Sequence, residues 1–165
     1  MSGTRRKSYD AGHRPKFLAV VDDSAECSRA IRFAVRRASR TGAGVLLLSI
    51  VPRGEFEQWL GVGDVMQEEA EADAAALLET HAASARSMAG IEPELQVRVG
   101  TKADEILRLI GEDEDISFFV LAAGTGAEGP GPLVSALAGK TSASFPIPIV
   151  IVPGGLEDDE IDALA

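Results

Sequence analysis

Short apolar runs alternate with segments of helical period along most of the chain, and this alternation limits the fold more than any other feature. The runs lie at residues 17–21, 45–51, 94–99, 116–123 and 147–152. Between them, apolar residues recur at helical spacing, as in Cys27, Ile31, Val35 and Ala38. The order β-α-β-α-β-α-β-α-β predicts an α/β fold, an open parallel-type sheet of five strands with helices on both faces.

Composition narrows the classes of protein that this chain can belong to. It has 165 residues, 45% of them hydrophobic, and a formal net charge of −10, so we expect one domain that does not bind nucleic acid. No apolar run approaches the roughly 18 residues of a membrane span, and the start lacks a secretory signal, so we expect a cytoplasmic protein without membrane contact. Cys27 is the only cysteine, which excludes an intrachain disulfide.

The ends of the chain differ from its middle. Residues 1–15 are basic and without apolar period, so we expect a disordered tail. Residues 16–153 then form the domain. Residues 154–165 are an acidic tail, whose Leu156, Ile161 and Leu164 either form one short helix or dock on the body.

Local signals predict how the first two helices begin and pack. Asp23 and Glu26 have the spacing of a capping box and predict the start of the first helix. Phe56 and Trp59, in the loop after the second strand, predict a hydrophobic lid or a ligand or partner contact. The apolar positions expected to mark the buried side of the second helix are Met66, Ala70, Ala74, Leu77, His81 and Met88.

The glycine-rich segment after the fourth strand, residues 124–142, is the strongest candidate for binding. Its glycines can take positive φ angles and let backbone N–H groups approach a ligand closely. Pro132 fits the first position of a helix, and a glycine-rich turn before a helix is a phosphate-binding geometry. A connector without a ligand has the same composition. The glycines are Gly124, Gly126, Gly129, Gly131 and Gly139.

Catalytic chemistry has no clear carrier. Nucleophilic catalysis needs a base beside the nucleophile, but His13 is in the tail and His81 lies on the apolar side of a helix. Cys27 shares its stripe with Ile31 and Val35, which favours inert packing. Asp22 and Asp23 could hold Mg²⁺ through bound phosphates, although helix capping is an alternative for Asp23. We therefore expect a protein that is not an enzyme.

The whole pattern resembles the universal stress protein family. The resemblance rests on FLAVVDDSAECSRAI at the first strand, VRVGTKADEILRLIGEDEDISFFVLAAG in the middle and FPIPIVIVP at the last strand. It implies a Rossmann-like domain, akin to adenine-nucleotide alpha hydrolases, that forms homodimers through the last strand (residues 147–152). Family members act in the response to stress, and one subclass binds ATP while another does not.

The resemblance also implies particular site residues. Asp22 matches the acidic residue that meets the adenosine of ATP, and Val20 and Ile50 match positions near the base. Gly126, Gly129 and Gly139 reproduce the spacing of the phosphate loop, and Gly124 just before them is a further candidate for nucleotide binding. Lys140 stands where the family has Ser or Thr, followed by Thr141 and Ser142.

Two alternatives remain for this loop. Either Lys140 supplies a cation for the phosphates of ATP, with Mg²⁺, or no triphosphate fits. The chain from Gly139 to Pro146 is also short for the usual helix, and counting back from Pro146 places the helix start at Ser135. The sequence thus predicts a stress-response regulator that binds an adenine nucleotide, or a homodimeric interaction module without one.

Overall fold

A five-stranded parallel sheet forms the centre of the computed structural model, which describes residues 5–54 and 62–165. The strand order is β3-β2-β1-β4-β5, and each neighbouring pair is parallel. The predicted α/β class is therefore confirmed. The strands are β1 (Lys16–Val20), β2 (Gly44–Val51), β3 (Glu94–Val99), β4 (Ile116–Ala123) and β5 (Ile149–Pro153).

Helices cover both faces of this sheet. One face carries the first, second and last helices, and the other carries the third and fourth. A short 3₁₀ helix, Lys140–Ser144, follows the fourth. None of the helices in the described part of the chain is long and apolar enough to cross a bilayer. The helices are α1 (Cys27–Thr41), α2 (Val62–Ala89), α3 (Lys102–Glu112), α4 (Pro132–Ala138) and α5 (Asp158–Leu164).

Two apolar layers hold the sheet between the helices. Alternate residues of the central strands point to opposite faces, so that Ala19 and Leu47 pack against α1 and α2 while Leu18 and Leu46 pack against α3. All four side chains are fully buried, as expected for strands covered on both sides. The order of the strands reverses direction between β1 and β4, where parallel sheets leave a crevice at the carboxyl edge.

The start of α1 differs from the sequence prediction. The helix begins at Cys27, and the Glu26 side chain that precedes it makes no capping hydrogen bond. The backbone N–H of Ser24 instead donates to Asp22 Oδ1 at 2.9 Å. The predicted capping box of Asp23 and Glu26 is therefore wrong, because the Asp22 carboxylate accepts both the backbone N–H and the hydroxyl of Ser24 in a turn before the helix.

The buried stripe of α2 is also shifted from the predicted one. Ala74 is buried as expected, but Met66 is 43% exposed. Leu77, His81 and Met88 are only half-buried. Alanine occupies so many positions of this helix that two neighbouring stripes have nearly equal hydrophobicity. In α2, Leu78, Ala82 and Ala85 are at most 1% exposed, and Ala74 is 9% exposed. Phe56 and Trp59 lie outside the described residues.

Residues 5–15 are held against the body at the amino edge of the sheet, in contrast to the expected disordered tail. Arg6 Nη1 donates to the carbonyl oxygen of Ile110 at 2.7 Å, near the end of α3, where helix carbonyls lack intrahelical partners. Ser8 Oγ donates to the Asp115 carbonyl oxygen at 3.0 Å, and Ser8 is buried. These polar contacts hold in place a segment whose composition alone predicts disorder.

Candidate functional site

A cavity of about 120 Å³ lies at the carboxyl edge of the sheet, between the ends of β1 and β4. It is bounded by the loop of residues 22–26 on one side and by the end of the glycine-rich loop and the start of α4 on the other. This is the crevice that the reversal of strand order predicts. Its lining residues are Val20, Asp22, Ser24, Glu26, Cys27, Ala30, Lys102, Leu121, Ala122, Pro130, Gly131, Pro132, Leu133 and Val134.

Asp22 is a polar residue of this cavity whose side chain is held by hydrogen bonds. Its Oδ1 accepts hydrogen bonds from both the backbone N–H and the hydroxyl of Ser24. Its Oδ2 lies 3.9 Å from the ammonium of Lys102, and the Asp22 side chain is 32% exposed. One oxygen of the carboxylate is thus held by Ser24, while the other lies beside the Lys102 ammonium.

Cys27 is a buried residue that lines the cavity next to Asp22. Its Sγ accepts a hydrogen bond from the Asp22 backbone N–H at 3.5 Å and donates to the Val20 carbonyl oxygen at 3.6 Å. Burial raises the pKa of the thiol to about 11. The side chain is therefore a neutral packing group at neutral pH, in agreement with the expected inert role.

The glycine-rich loop uses part of its backbone for its own turns. The N–H of Gly124 donates to the Pro130 carbonyl oxygen at 3.0 Å, and the N–H of Gly129 donates to the Gly126 carbonyl oxygen at 3.1 Å. Gly129 has a φ of 87° and therefore needs glycine. Because two of the expected phosphate donors are already engaged, the loop does not have the arrangement that the glycine spacing suggested.

The second half of the predicted phosphate motif lies away from the cavity. The helix α4 begins at Pro132, as the sequence predicted for that proline, and ends before Gly139. Gly139 and the residues after it, Lys140, Thr141 and Ser142, therefore follow the carboxyl end of α4, whereas the cavity is at its amino end. The hydroxyl of Ser142 donates to the Gly139 carbonyl oxygen at 2.7 Å. The helix starts neither at Gly139 nor at Ser135.

A second cavity, of about 570 Å³, adjoins the first at the carboxyl ends of β2 and β3. Lys102 borders both cavities. Ile50, which was expected near the base, lines the second cavity rather than the first. Among the predicted site residues, the structure thus brings Val20 and Asp22 to one cavity and Ile50 to its neighbour. The other lining residues of the second cavity are Pro52, Arg53, Gly100, Thr101, Asp104, Glu105 and Arg108.

Two charged residues of the site were not found from the sequence. The half-buried Glu26 approaches the glycine loop so closely that a Cβ on Gly124 would lie 3.1 Å from Glu26 Oε1. Lys102, at the first position of α3, brings a positive charge to the Asp22 carboxylate. Residues that directly follow a parallel strand lie at the carboxyl edge of the sheet, which is why Asp22 was expected there. The same argument applies to Lys102, because α3 starts just after β3. No local signal indicates Glu26.

His81 of α2 is a minor electrostatic neighbour of the site. Burial lowers the pKa of its imidazole, and the charge of the Asp22 carboxylate acts in the opposite direction. The ring is therefore mostly neutral at neutral pH and adds no cation to the cavity.

Comparison with known proteins agrees with this architecture. The model of the universal stress protein family matches residues 13–153. Among solved structures, the universal stress protein UspA from Lactobacillus plantarum has a TM-score of 0.67 and 18% identity, over 84% of this chain and 97% of that chain. No protein among the curated ones matches this sequence.

Two further similar structures were solved with nucleotides bound. A universal stress protein in complex with cAMP has a TM-score of 0.58 and 17% identity, over 84% of this chain and 96% of that chain. A member of the family from Arabidopsis thaliana with AMP bound has a TM-score of 0.53 and 15% identity, over 84% and 91%. At these identities the likeness establishes the fold, and the family match covers most of the sequence. The chain belongs to the universal stress protein family.

Proposed function

We propose that this protein binds an adenine nucleotide with a short phosphate chain beside Asp22. In this proposal it acts as a stress-response regulator through the conformation of the bound state, without turnover. The observation that carries it is the orientation of Asp22, which lines the cavity with its Oδ1 held by Ser24 and its Oδ2 3.9 Å from the Lys102 ammonium. A carboxylate fixed in this way is a strong acceptor for the hydroxyl groups of a ribose.

The two adjoining cavities together offer more volume for a ligand than the cavity beside Asp22 alone. Nucleotide-sized sites enclose roughly 300–1,000 Å³, which the first cavity of about 120 Å³ does not reach. Lys102, whose side chain is 43% exposed, is the shared border with the second cavity of about 570 Å³. In this proposal the Lys102 side chain moves aside when the nucleotide binds, and Val20 of the first cavity and Ile50 of the second are apolar walls for the base.

The charges near the glycine loop favour a monophosphate over ATP. The N–H groups of Gly124 and Gly129 are engaged within the loop, and the Glu26 side chain lies close to Gly124. A triphosphate placed there would meet a carboxylate with few backbone donors in return. The cAMP and AMP complexes of family members are consistent with this preference. ATP with Mg²⁺, held through Asp22 and Asp23, is the alternative.

Calorimetric titration of the purified chain with AMP, and with ATP in the presence and absence of Mg²⁺, tests this proposal. We expect AMP to bind and an Asp22→Asn variant to lose about tenfold or more in affinity, the usual effect of removing a charged acceptor. Asp23→Asn is the matched control, because Asp23 is the adjacent exposed carboxylate and does not line the cavity. Absence of both heat and a melting shift at millimolar AMP and ATP would reject nucleotide binding.

A second proposal is that the protein forms a homodimer through β5. This strand is at one edge of the sheet, and its Ile151 is 39% exposed. An edge strand with exposed apolar residues can pair with another copy. A homodimeric interaction module without nucleotide would keep this feature. Sedimentation equilibrium of the wild type and an Ile151→Lys variant separates the cases: we expect a dimer that the variant weakens, and a wild-type monomer would exclude it.

A further inference from the structure

Residues 154–165 lie beyond the part of the chain that the family model matches, which ends at residue 153. They are nevertheless packed closely against the domain. Ile161 is fully buried in the apolar layer of α1, and Ala165 is 4% exposed. Such burial is unusual for an acidic tail and indicates a specific docking site on α1.

Arginines on one side of α1 bind this segment along its length. Asp162 accepts hydrogen bonds from Arg32 Nε at 2.8 Å and Nη2 at 2.7 Å, and from Arg36 Nε at 3.0 Å. Arg40 Nη1 donates to the Ala165 carbonyl oxygen at the other end of α5. The two-point Arg32 contact is the geometry in which an arginine–carboxylate pair is strongest. Hydrogen bonding from Arg32 lowers the pKa of Asp162, so the carboxylate is charged at neutral pH.

The turn that precedes α5 touches the loop of residues 22–26 beside the proposed site. Arg29 Nε donates to the Leu156 carbonyl oxygen at 3.0 Å, and its Nη1 donates to the Ala25 carbonyl oxygen at 3.3 Å. One guanidinium therefore links the C-terminal segment to the loop that carries Asp22.

The same turn also touches the end of β4 and the glycine-rich loop. A Cβ built on Gly154 would lie 2.1 Å from the Ala123 carbonyl oxygen and 3.4 Å from Glu26 Cβ. A Cβ on Gly155 would lie 3.8 Å from the Thr125 methyl group. The backbone of residues 154–155 thus fills the space between the strand end and the start of α1, with no room for a side chain on Gly154.

From these contacts we infer that the C-terminal segment braces the nucleotide site, with Asp162 as its anchor and Arg29 as the positioning residue that transmits its docking to the Asp22 loop. Docking of α5 and ordering of residues 22–26 and 124–131 are then coupled. Coupling of this kind is reciprocal, so a bound nucleotide also strengthens the docking of α5. Only the ligand readouts below depend on the proposed function.

Amide hydrogen exchange on Asp162→Asn, compared with Asp159→Asn, tests the brace. Both substitutions remove one negative charge from α5. In the described part of the chain, Asp162 contacts Arg32 and Arg36, whereas Asp159 contacts neither arginine. Without nucleotide, we expect Asp162→Asn to speed exchange in α5 and in residues 22–26 and 124–131 by about threefold or more. We expect Asp159→Asn to leave these rates unchanged. Asp162→Glu should restore part of the protection, because it restores the charge.

Each outcome of the experiment bears on the brace. Faster exchange in α5 alone, with both loops unchanged, overturns the coupling; unchanged exchange in α5 overturns Asp162 as the anchor. A chain shortened after Glu157 should reproduce the loop effect by a second route, and protected loops in that chain would also contradict it. If the loops respond but AMP binds to no variant, the brace stands and the proposed function fails. If AMP binds, we expect it to slow exchange in α5.

Discussion

The two loops that border the cavity are built on different principles. Residues 22–26 are organised by side chains, because Asp22 binds Ser24 and its N–H is held by the Cys27 thiol. Residues 124–131 are organised by the backbone, through the bonds from Gly124 to Pro130 and from Gly129 to Gly126. The position of a side-chain motif can be predicted from the strand end that carries it. The position of a backbone motif spread over many residues cannot, because it depends on where the next helix starts and ends.

The largest effect on this pair of loops is expected from Gly154, which lies against both sides of the site. Gly154→Ala should lower the free energy of unfolding by about 2–3 kcal/mol, because the new Cβ would lie 2.1 Å from a backbone oxygen that cannot move alone. Gly155→Ala is the control, since its Cβ meets only the Thr125 methyl at 3.8 Å. Urea unfolding measures both, and equal losses would contradict the close packing of residues 154–155.

The next comparison is between Lys102, which lines the cavity, and Lys140, which follows the carboxyl end of α4. Lys102→Ala should weaken AMP binding by roughly fivefold, because it removes a cation 3.9 Å from Asp22 at the cavity. Lys140→Ala removes the same charge after the far end of α4 and should leave the affinity unchanged. Calorimetry of the two variants measures the difference. A larger loss for Lys140 would restore the phosphate motif that the glycine spacing suggested.

A smaller effect should separate two glycines of the second loop. Gly129→Ala should cost about 1 kcal/mol of stability, because Gly129 has a φ of 87°, whereas Gly126 is in open space without a positive φ. Gly126→Ala should therefore leave the melting temperature unchanged. If that variant nevertheless binds AMP more weakly, the ligand approaches the Gly126 backbone; equal destabilisation by both substitutions would contradict the loop conformation.

Much of the sheet could be predicted from the sequence, because its strands are apolar runs bounded by polar residues. The limits of β3 and β4 agree with the predicted runs, β1 is shifted by one residue and β2 begins one residue earlier than predicted. The last strand begins at Ile149 instead of Ile147, after Pro148. The start of α1 was predicted less well, since the capping signal of Asp23 competes with the turn formed by Asp22 and Ser24. Competition between neighbouring polar side chains is decided by geometry that spacing does not contain.

The candidate site was predictable where it depends on strand ends. Val20 and Asp22 follow directly from the end of β1, and both line the cavity. Gly139 was misplaced because the motif assumes a longer loop, whereas Pro132 already begins α4. Glu26 and Lys102 reach the cavity from the starts of two helices, and their positions depend on how those helices pack on the sheet.

The buried thiol below Asp22 gives this protein a built-in reporter. Cys27 is the only cysteine of the chain, so an alkylating reagent labels a single position. With a pKa of about 11, only about one thiol in a thousand is ionised at pH 8, and labelling is slow while the cavity floor is closed. The labelling rate therefore follows the opening of the site directly, without an added probe.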